Sequence, residues 1–248
     1  MPPSLDRILE DIIQLLKGQI LQTNAETFAS TSPDKRTALI SISLGKVTEP
    51  CVVTDSNNIA MLYFLPKLLT HNEQRPEDPL VTSLTLSQGN KDSTLEWLEQ
   101  IDKLQILSNI LIKLLHPELY EAGLTALSGL RHESQTIDWA TRWNSVFTCL
   151  CVISSRISKQ HRDSNGDNKF FDILFNLGFC EGAEMWIKEL GAHFRYCPGT
   201  VFIFSGKLWT HEVPRWMAGE RVLYAYFMRP EVLNRFIRSP VGWAQVLS

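Results

Sequence analysis

Long hydrophobic runs are missing from this 248-residue chain. The longest uncharged apolar stretches, Val146–Ile153 and Val201–Phe204, are less than half of the roughly 20 residues a helix needs to cross a bilayer. Positive charge is not in excess either. Lys and Arg number 24 against 27 Asp and Glu, a net charge of −3, so no global positive field marks a nucleic-acid binder and any anionic polymer must meet a local patch. Cysteine is sparse and unordered: Cys51, Cys149, Cys151, Cys180 and Cys197 form no CxxC pair, the pattern of buried free thiols rather than of disulfides or a zinc site. The first residues, Met1-Pro2-Pro3-Ser4-Leu5-Asp6, lack the basic and apolar regions of a signal peptide, and the expectation is an intracellular protein. No internal repeat is present.

What the chain does have is apolar mass. It is 44% hydrophobic and 10% aromatic, with 7 Trp and 12 Phe, enough for one large core or two small ones and too much for disorder. Residues 4–21 place Leu5, Ile8, Leu9, Ile12, Leu15 and Leu16 on a helical stripe, with Ser4 as N-cap. After the polar stretch Thr23–Arg36, the alternation in Thr37–Leu44 predicts a strand. Cys51–Thr54 and Ile59–Phe64, joined by Asp55-Ser56-Asn57-Asn58, predict a hairpin. Residues 70–93 read as a mobile loop. Leu95–Leu115 and Pro117–Leu130 read as amphipathic helices.

Beyond Trp139 the texture changes to short strands: Val146–Ser154, Phe170–Leu177, Glu184–Leu190, His193–Tyr196, Val201–Ser205, Thr210–Val213 and Arg221–Phe227, closed by a helix over Glu231–Ile237. Seven such strands separated by Gly, Pro, Asp and Asn turns predict a barrel or sandwich. Helices in front and strands behind, sharing one core, make an α+β protein. Residues 1–248 are expected to form a single domain, with a helical and hairpin buttress over 1–139 and the strand-rich core over 140–237.

The segment His161-Arg162-Asp163-Ser164-Asn165-Gly166-Asp167-Asn168 invites several motif readings. As a kinase catalytic loop it fails, because no Gly-rich loop, strand Lys or DFG accompanies it. As an EF-hand loop from Asp163 it puts Asn168 at the glycine position and Leu174 where a bidentate Glu belongs. Gly206-Lys207 is no P-loop, since Leu208 stands where a Mg²⁺-binding hydroxyl is required.

A fourth reading uses more residues. His161-x-Asp163 follows one strand, His211 lies fifty residues later beside another, and Arg221 opens the next. Two imidazoles and one carboxylate make the facial triad that holds Fe(II) and leaves three positions open. A HxD pair puts two ligands on one side of a strand end, and His211 closes the triangle from a facing strand. Arg221 supplies a guanidinium fork for the distal carboxylate of 2-oxoglutarate. Alone, a HxD is most often a surface loop; the interleaved set is far harder to meet by chance.

These residues carry a resemblance. The strings Val152-Ile153-Ser154-Ser155-Arg156, His161-Arg162-Asp163-Ser164, Phe194-Arg195-Tyr196-Cys197-Pro198-Gly199-Thr200, Phe204-Ser205-Gly206-Lys207-Leu208, His211-Glu212-Val213 and Gly219–Arg229 resemble the TET/J-binding-protein family of Fe(II)/2-oxoglutarate-dependent dioxygenases. They are most similar to its fungal branch. The likeness spans residues 140–237 and the Pro50–Asp55 hairpin.

The resemblance implies a double-stranded β-helix (jelly-roll) core with flanking N-terminal helices. It implies Fe(II), 2-oxoglutarate and O₂ as cofactor and co-substrates, and nuclear oxidation of a methylated DNA base, with no membrane and no obligate protein partner. That base is 5-methylcytosine, taken stepwise to its hydroxymethyl, formyl and carboxyl forms, or N6-methyladenine. It makes His161, Asp163 and His211 the iron ligands and catalytic centre, and Arg221 and Arg156 the co-substrate contacts. It puts Phe227 on the flipped base, with Tyr226 or Tyr224 adding stacking surface, and Asp167 or Asn165 at the base edge. Phosphate contacts are expected from Arg156, Lys159, Arg162, Lys169, Lys207, Arg215, Arg229, Arg235 and Arg238. Two positions depart from the family pattern: Leu223 replaces a co-substrate Ser, and Ser155 replaces Asn. A dioxygenase of the same fold acting on a protein or small molecule, or a non-catalytic paralogue, are the competing readings.

Overall fold

The computed structural model describes residues 19–22, 43–55, 57–69, 91–133 and 142–246. Among the described residues, twelve strands form two sheets: β1 Gln19–Gln22, β2 Gly45–Val47, β3 Cys51–Thr54, β4 Ala60–Leu65, β5 Cys149–Ser154, β6 Ser158–His161, β7 Asp172–Gly178, β8 Glu184–Ile187, β9 Ala192–Arg195, β10 Val201–Phe204, β11 His211–Val213 and β12 Arg221–Phe227. The larger sheet runs β1-β3-β4-β10-β7-β12-β5 and the smaller β2-β9-β8-β11-β6. All pairings are antiparallel except β1 with β3 and β2 with β9. This is the α+β arrangement that the strand pattern predicts, in the jelly-roll form that the resemblance implies.

Strand β12 shows why the sequence builds this arrangement. In Arg221-Val222-Leu223-Tyr224-Ala225-Tyr226-Phe227, successive side chains face opposite sides of the sheet. Val222, Tyr224 and Tyr226 join a cluster with the helices, while Leu223 and Ala225 join a second cluster with the smaller sheet. The large sheet is therefore buried on both faces. That is why Ala-Met-Leu-Tyr-Phe-Leu of β4 and Val-Phe-Ile-Phe of β10 read as unbroken apolar runs. The expected single core is in fact two clusters, because a strand layer lies between them.

The helices α1 Lys91–Gln100, α2 Asp102–Leu115 and α3 Pro117–Glu133 cover one face. Leu98, Leu111, Ile112, Leu115 and Leu119 are buried there without exposure. Pro117 ends α2 and opens α3, since a residue before proline is pushed out of helical geometry; His116 accordingly has φ −150° and ψ 71°.

Several expectations need correction. Residues 19–21 are strand, not the end of a helix, and pair in parallel with β3; the rest of that predicted helix lies outside the described residues. Of the strand expected over 37–44, residues 37–42 lie outside the described residues, 43 and 44 are irregular, and pairing starts at Gly45. Residues 91–93 of the expected loop are already helical, and 70–90 lie outside the described residues. The helix expected over 95–115 is interrupted at Ile101, whose carbonyl accepts from both Leu104 and Gln105. Residues 146–148 are bends, anchored where Trp143 Nε1 donates to the Phe147 carbonyl at 2.8 Å. Residues 188–190 are a 3₁₀ turn, and the closing helix shrinks to α4, Pro230–Leu233. Strand β6 had no apolar alternation to reveal it. It is a polar, largely exposed edge strand, of the kind that discourages further pairing.

Candidate metal and co-substrate site

The site lies between the sheets, at the β6–β11 end. His161 and His211 are direct cross-strand partners in the small sheet, so they come from adjacent strands, not from facing ones as expected. The β6–β11 register slips between His211 and Val213, and such bulges re-aim side chains beside active sites. The two rings lie 4.3 Å apart by centroid. Asp163, two residues beyond β6, is pinned by its N–H to the Gly206 carbonyl at 2.9 Å.

His161, Asp163 and His211 bring one ligand atom each within 4.8 Å of the others. His161 Nδ1 donates to the Lys159 carbonyl at 2.6 Å, and His211 Nδ1 donates to the Trp209 carbonyl at 3.0 Å. A carbonyl only accepts, so each Nδ1 carries a proton, and in the neutral ring that leaves Nε2 as the ligating nitrogen. His161 Nε2 stands 3.7 Å from Asp163 Oδ1. Burial lowers the pKa of His211, partly offset by that backbone bond and by Asp163, which favours the neutral, ligating form.

Asp172 was not singled out by sequence. It opens β7, lines the same cavity, and accepts the Gly206 N–H at 2.9 Å. Burial first, then the charge of Asp163, push its carboxyl up to about 8, against the pull of Gly206 N–H and Arg229. Gly206 sits between the two acids. A Cβ there would strike Asp163 Oδ2 and come within 2.9 Å of Asp172 Oδ2, so any larger residue would push the two carboxyls out of their present positions. Crowded carboxylates beside two free imidazole lone pairs are a donor set that a divalent cation satisfies.

Arg221 is fully buried and enters from β12. Its Nη1 donates to the Arg156 carbonyl at 3.3 Å, and its guanidinium lies 5.4 Å from the Tyr196 ring centre. Among the described residues, Nε and Nη2 have no hydrogen-bond acceptor. A buried guanidinium with idle donors is costly unless an anion completes it, and it opens onto the cavity. This fits the distal carboxylate of 2-oxoglutarate.

The cavity has a volume of about 260 Å³. Arg156, Asn165, Phe227 and Arg229 line it, with the Arg229 guanidinium 5.0 Å over the Phe227 ring. Leu223 lines it too, so its replacement of a serine leaves that wall apolar. Tyr226 and Tyr224 are corrections. They lie on the opposite face of β12, packed toward Phe147, Phe175 and Trp97, and cannot stack on anything in the cavity. The alternation starting from Arg221 carried that information: Phe227, six residues on, shares its face, and Tyr226 does not. Asp167 turns into its own loop, accepting the Lys169 N–H at 2.9 Å, and does not line the cavity.

Four of the expected phosphate contacts are engaged internally. Arg162 pairs with Glu189, Lys207 with the Ser164 carbonyl, Lys169 with the Val241 carbonyl and Arg235 with Glu133. Among the described residues, the other histidines do not line the cavity. His116 is buried against Lys169, and His193 stacks on Trp186.

Comparison with known proteins bears directly on this geometry. Residues 70–229, more than half of the chain, match Tet_JBP, the oxygenase domain of the 2OGFeDO superfamily. The chain belongs to the Tet_JBP family. As a member of that superfamily it is a 2-oxoglutarate- and Fe(II)-dependent dioxygenase, with O₂ as the oxidant. Among solved structures, this Tet_JBP oxygenase is similar in fold to NgTET1 in complex with 5mC DNA, with a TM-score of 0.56, 15% identity and 92% of each chain covered. A weaker likeness is to the viral collagen prolyl hydroxylase vCPH from Paramecium Bursaria Chlorella virus-1 in its 2OG complex. There the TM-score is 0.38 and the identity 13%, over 68% of this chain and 94% of that one. No curated protein sequence matches the chain.

Proposed function

We propose that this Tet_JBP oxygenase, as a member of the family's fungal branch, oxidises a methylated base in DNA, 5-methylcytosine or N6-methyladenine, after flipping it from the duplex. The observation that carries the reading is a single cavity holding the His161, Asp163 and His211 cluster together with an aromatic ring, Phe227, held under Arg229. The fold it shares with a protein solved on 5mC DNA supports the same reading.

In this reading His161 and His211 bind Fe(II) through Nε2, and Asp163 through its carboxylate. Bound there with 2-oxoglutarate and O₂, the iron supplies the oxidising power to hydroxylate a methyl C–H bond. Arg221 holds the distal carboxylate of the co-substrate with its two idle donors, and Arg156 lies beside it. The apolar wall of Leu223 and Ala225 excludes water from the reacting methyl. Phe227 stacks on the extruded base, and Asn165 or Arg229 meets its polar edge. A methyl inside a duplex cannot reach such a cavity, so unstacking, at a few kcal/mol, is required. DNA oxidation of this kind is nuclear work, and strands from both halves of the chain in each sheet support one oxygenase domain over 1–248.

One observation favours a second reading. With Arg162, Lys169, Lys207 and Arg235 engaged internally, four of the nine expected phosphate contacts are withdrawn, which a protein or small-molecule substrate would tolerate. The deciding experiment incubates the protein with Fe(II), 2-oxoglutarate and duplexes carrying either methylated base, followed by nucleoside mass spectrometry and succinate assay. The expected result is an oxidised base matched by succinate, abolished in His161→Ala and made 2-oxoglutarate-deficient in Arg221→Met. Oxidation of neither base, with succinate released from a peptide substrate, would overturn the DNA assignment.

A further inference from the structure

The residue between the first two ligands and the residue before the third meet at one buried carboxylate. Arg162, the middle residue of His161-Arg162-Asp163, reaches across the small sheet to Glu189 in the 3₁₀ turn after β8. Its Nη2 lies 2.6 Å from Glu189 Oε1, and its Nε donates to Thr210 Oγ1 at 2.9 Å. Thr210, immediately before His211, donates its hydroxyl to Glu189 Oε1 at 2.5 Å and its N–H to Glu189 Oε2 at 2.9 Å. The Thr210 carbonyl in turn accepts the Lys188 N–H at 2.9 Å. Glu189 is 5% exposed, so both its oxygens are satisfied inside the protein by these two partners.

We infer that Arg162, Glu189 and Thr210 form a clamp that holds the two ligand-bearing segments in register for the metal. The reason is mechanical. Strand β6 is a polar edge strand of four residues joined to β11 across a bulge, and such a pairing holds its own register weakly. Both β11 and the β6 exit need an anchor outside the ladder, and Glu189 serves both. Charge-assisted bonds to a buried carboxylate are short and directional. Each carries its constraint one covalent step from a ligand: Arg162 flanks His161 and Asp163, and Thr210 flanks His211. None of the three lines the cavity, so they act as positioning residues through their neighbours.

The inference rests on the metal reading of His161, Asp163 and His211, and the test separates the two. Mn(II), an oxygen-inert stand-in for Fe(II), is titrated by electron paramagnetic resonance into the full chain with 2-oxoglutarate present. Partners that orient metal ligands are typically worth 10–100-fold in affinity, so Glu189→Gln and Thr210→Val are expected to weaken Mn(II) by about 10-fold or more, while Thr210→Ser, which keeps the hydroxyl, stays within about twofold. Broadened or altered Mn(II) spectra in the first two variants are expected as well. Folded Glu189→Gln and Thr210→Val proteins with wild-type Mn(II) affinity would overturn the clamp. Should both fail to fold, Arg162→Gln, which changes a side chain at the surface end of the network, decides: unchanged affinity overturns the inference, and weakened affinity with an unchanged melting temperature supports it. His161→Ala is the control. If it binds Mn(II) like wild type, the metal assignment itself falls; if it does not, the result for Glu189 concerns the clamp alone.

Discussion

The two faces of strand β12 divide the labour of this protein. Toward the helices it presents Val222, Tyr224 and Tyr226, all closely packed, and the Tyr226 hydroxyl has no hydrogen-bond partner. Toward the small sheet it presents Arg221, Leu223, Ala225 and Phe227, and there the packing opens into the cavity. One face is dry and continuous. The other holds an uncompensated guanidinium, crowded carboxyls and free imidazole nitrogens, each a local cost that a bound metal and anion would remove. A single seven-residue strand thus contributes stability on one side and chemistry on the other, and a change of one residue position moves a side chain between them.

The sharpest way to break this division is Asp163→Ala. Losing a ligand should lower succinate formation at least about a thousandfold, since a metal supplies several kcal/mol of charge stabilisation. The melting temperature should hold or rise, because the charge of Asp163 is one of the causes that hold the buried Asp172 carboxyl away from its ordinary ionised form. A melting temperature well below wild type would mean the site also carries the fold. Next comes Tyr226→Ala, expected to cost about 3–5 kcal/mol in urea unfolding, as large core aromatics do, with normal turnover per folded molecule. Tyr226→Phe should be neutral or slightly stabilising, because that hydroxyl is buried without a partner. Phe227→Ala should show the reverse of Tyr226→Ala, with small stability loss and defective turnover.

A smaller effect belongs to His116, on the helical side. Burial first, against bonds to Lys169 and Gly242 and the charge of Glu118, lowers its pKa from 6.5 to about 4. The folded ring stays neutral while the unfolded one gains a proton below 6.5. Its contribution is therefore complete above that pH and is lost as pH falls toward 4. At pH 5 the loss should be about 2 kcal/mol relative to pH 7.5, measured by urea unfolding, and His116→Phe should flatten that part of the slope. The smallest change expected is at Ser155. It sits at φ +46° beside the site, its N–H donating to the Arg221 carbonyl at 2.7 Å. Left-handed backbone suits glycine or asparagine better than serine, so Ser155→Gly should stabilise by about 0.5 kcal/mol in the same assay without altering turnover.

Much of the site was legible because its chemistry demands rare residue types at definite separations. Two histidines, one aspartate and one arginine, interleaved with strands, leave few innocuous explanations. Strand β12 was readable to the residue, since Arg221–Phe227 combines β-branched, aromatic and alternating character. Strand β6 was not, because Ser-Lys-Gln-His carries no periodic signal. Arg162 looked like a phosphate contact until its guanidinium proved to be held by Glu189. Asp172 carried no motif signal, and only the fold placed it in the cavity.

By itself, then, the amino-acid order determined which groups could do chemistry and which segments must be buried, because residue type and local periodicity are properties of the chain alone. The pairing of His161 with His211, the convergence of Asp163 and Asp172 on Gly206 and the meeting of Arg162, Thr210 and Glu189 were decided only by tertiary structure. Each depends on two segments far apart in sequence arriving at one place. That meeting is governed by sheet register and the burial of whole faces, which no single stretch of sequence encodes.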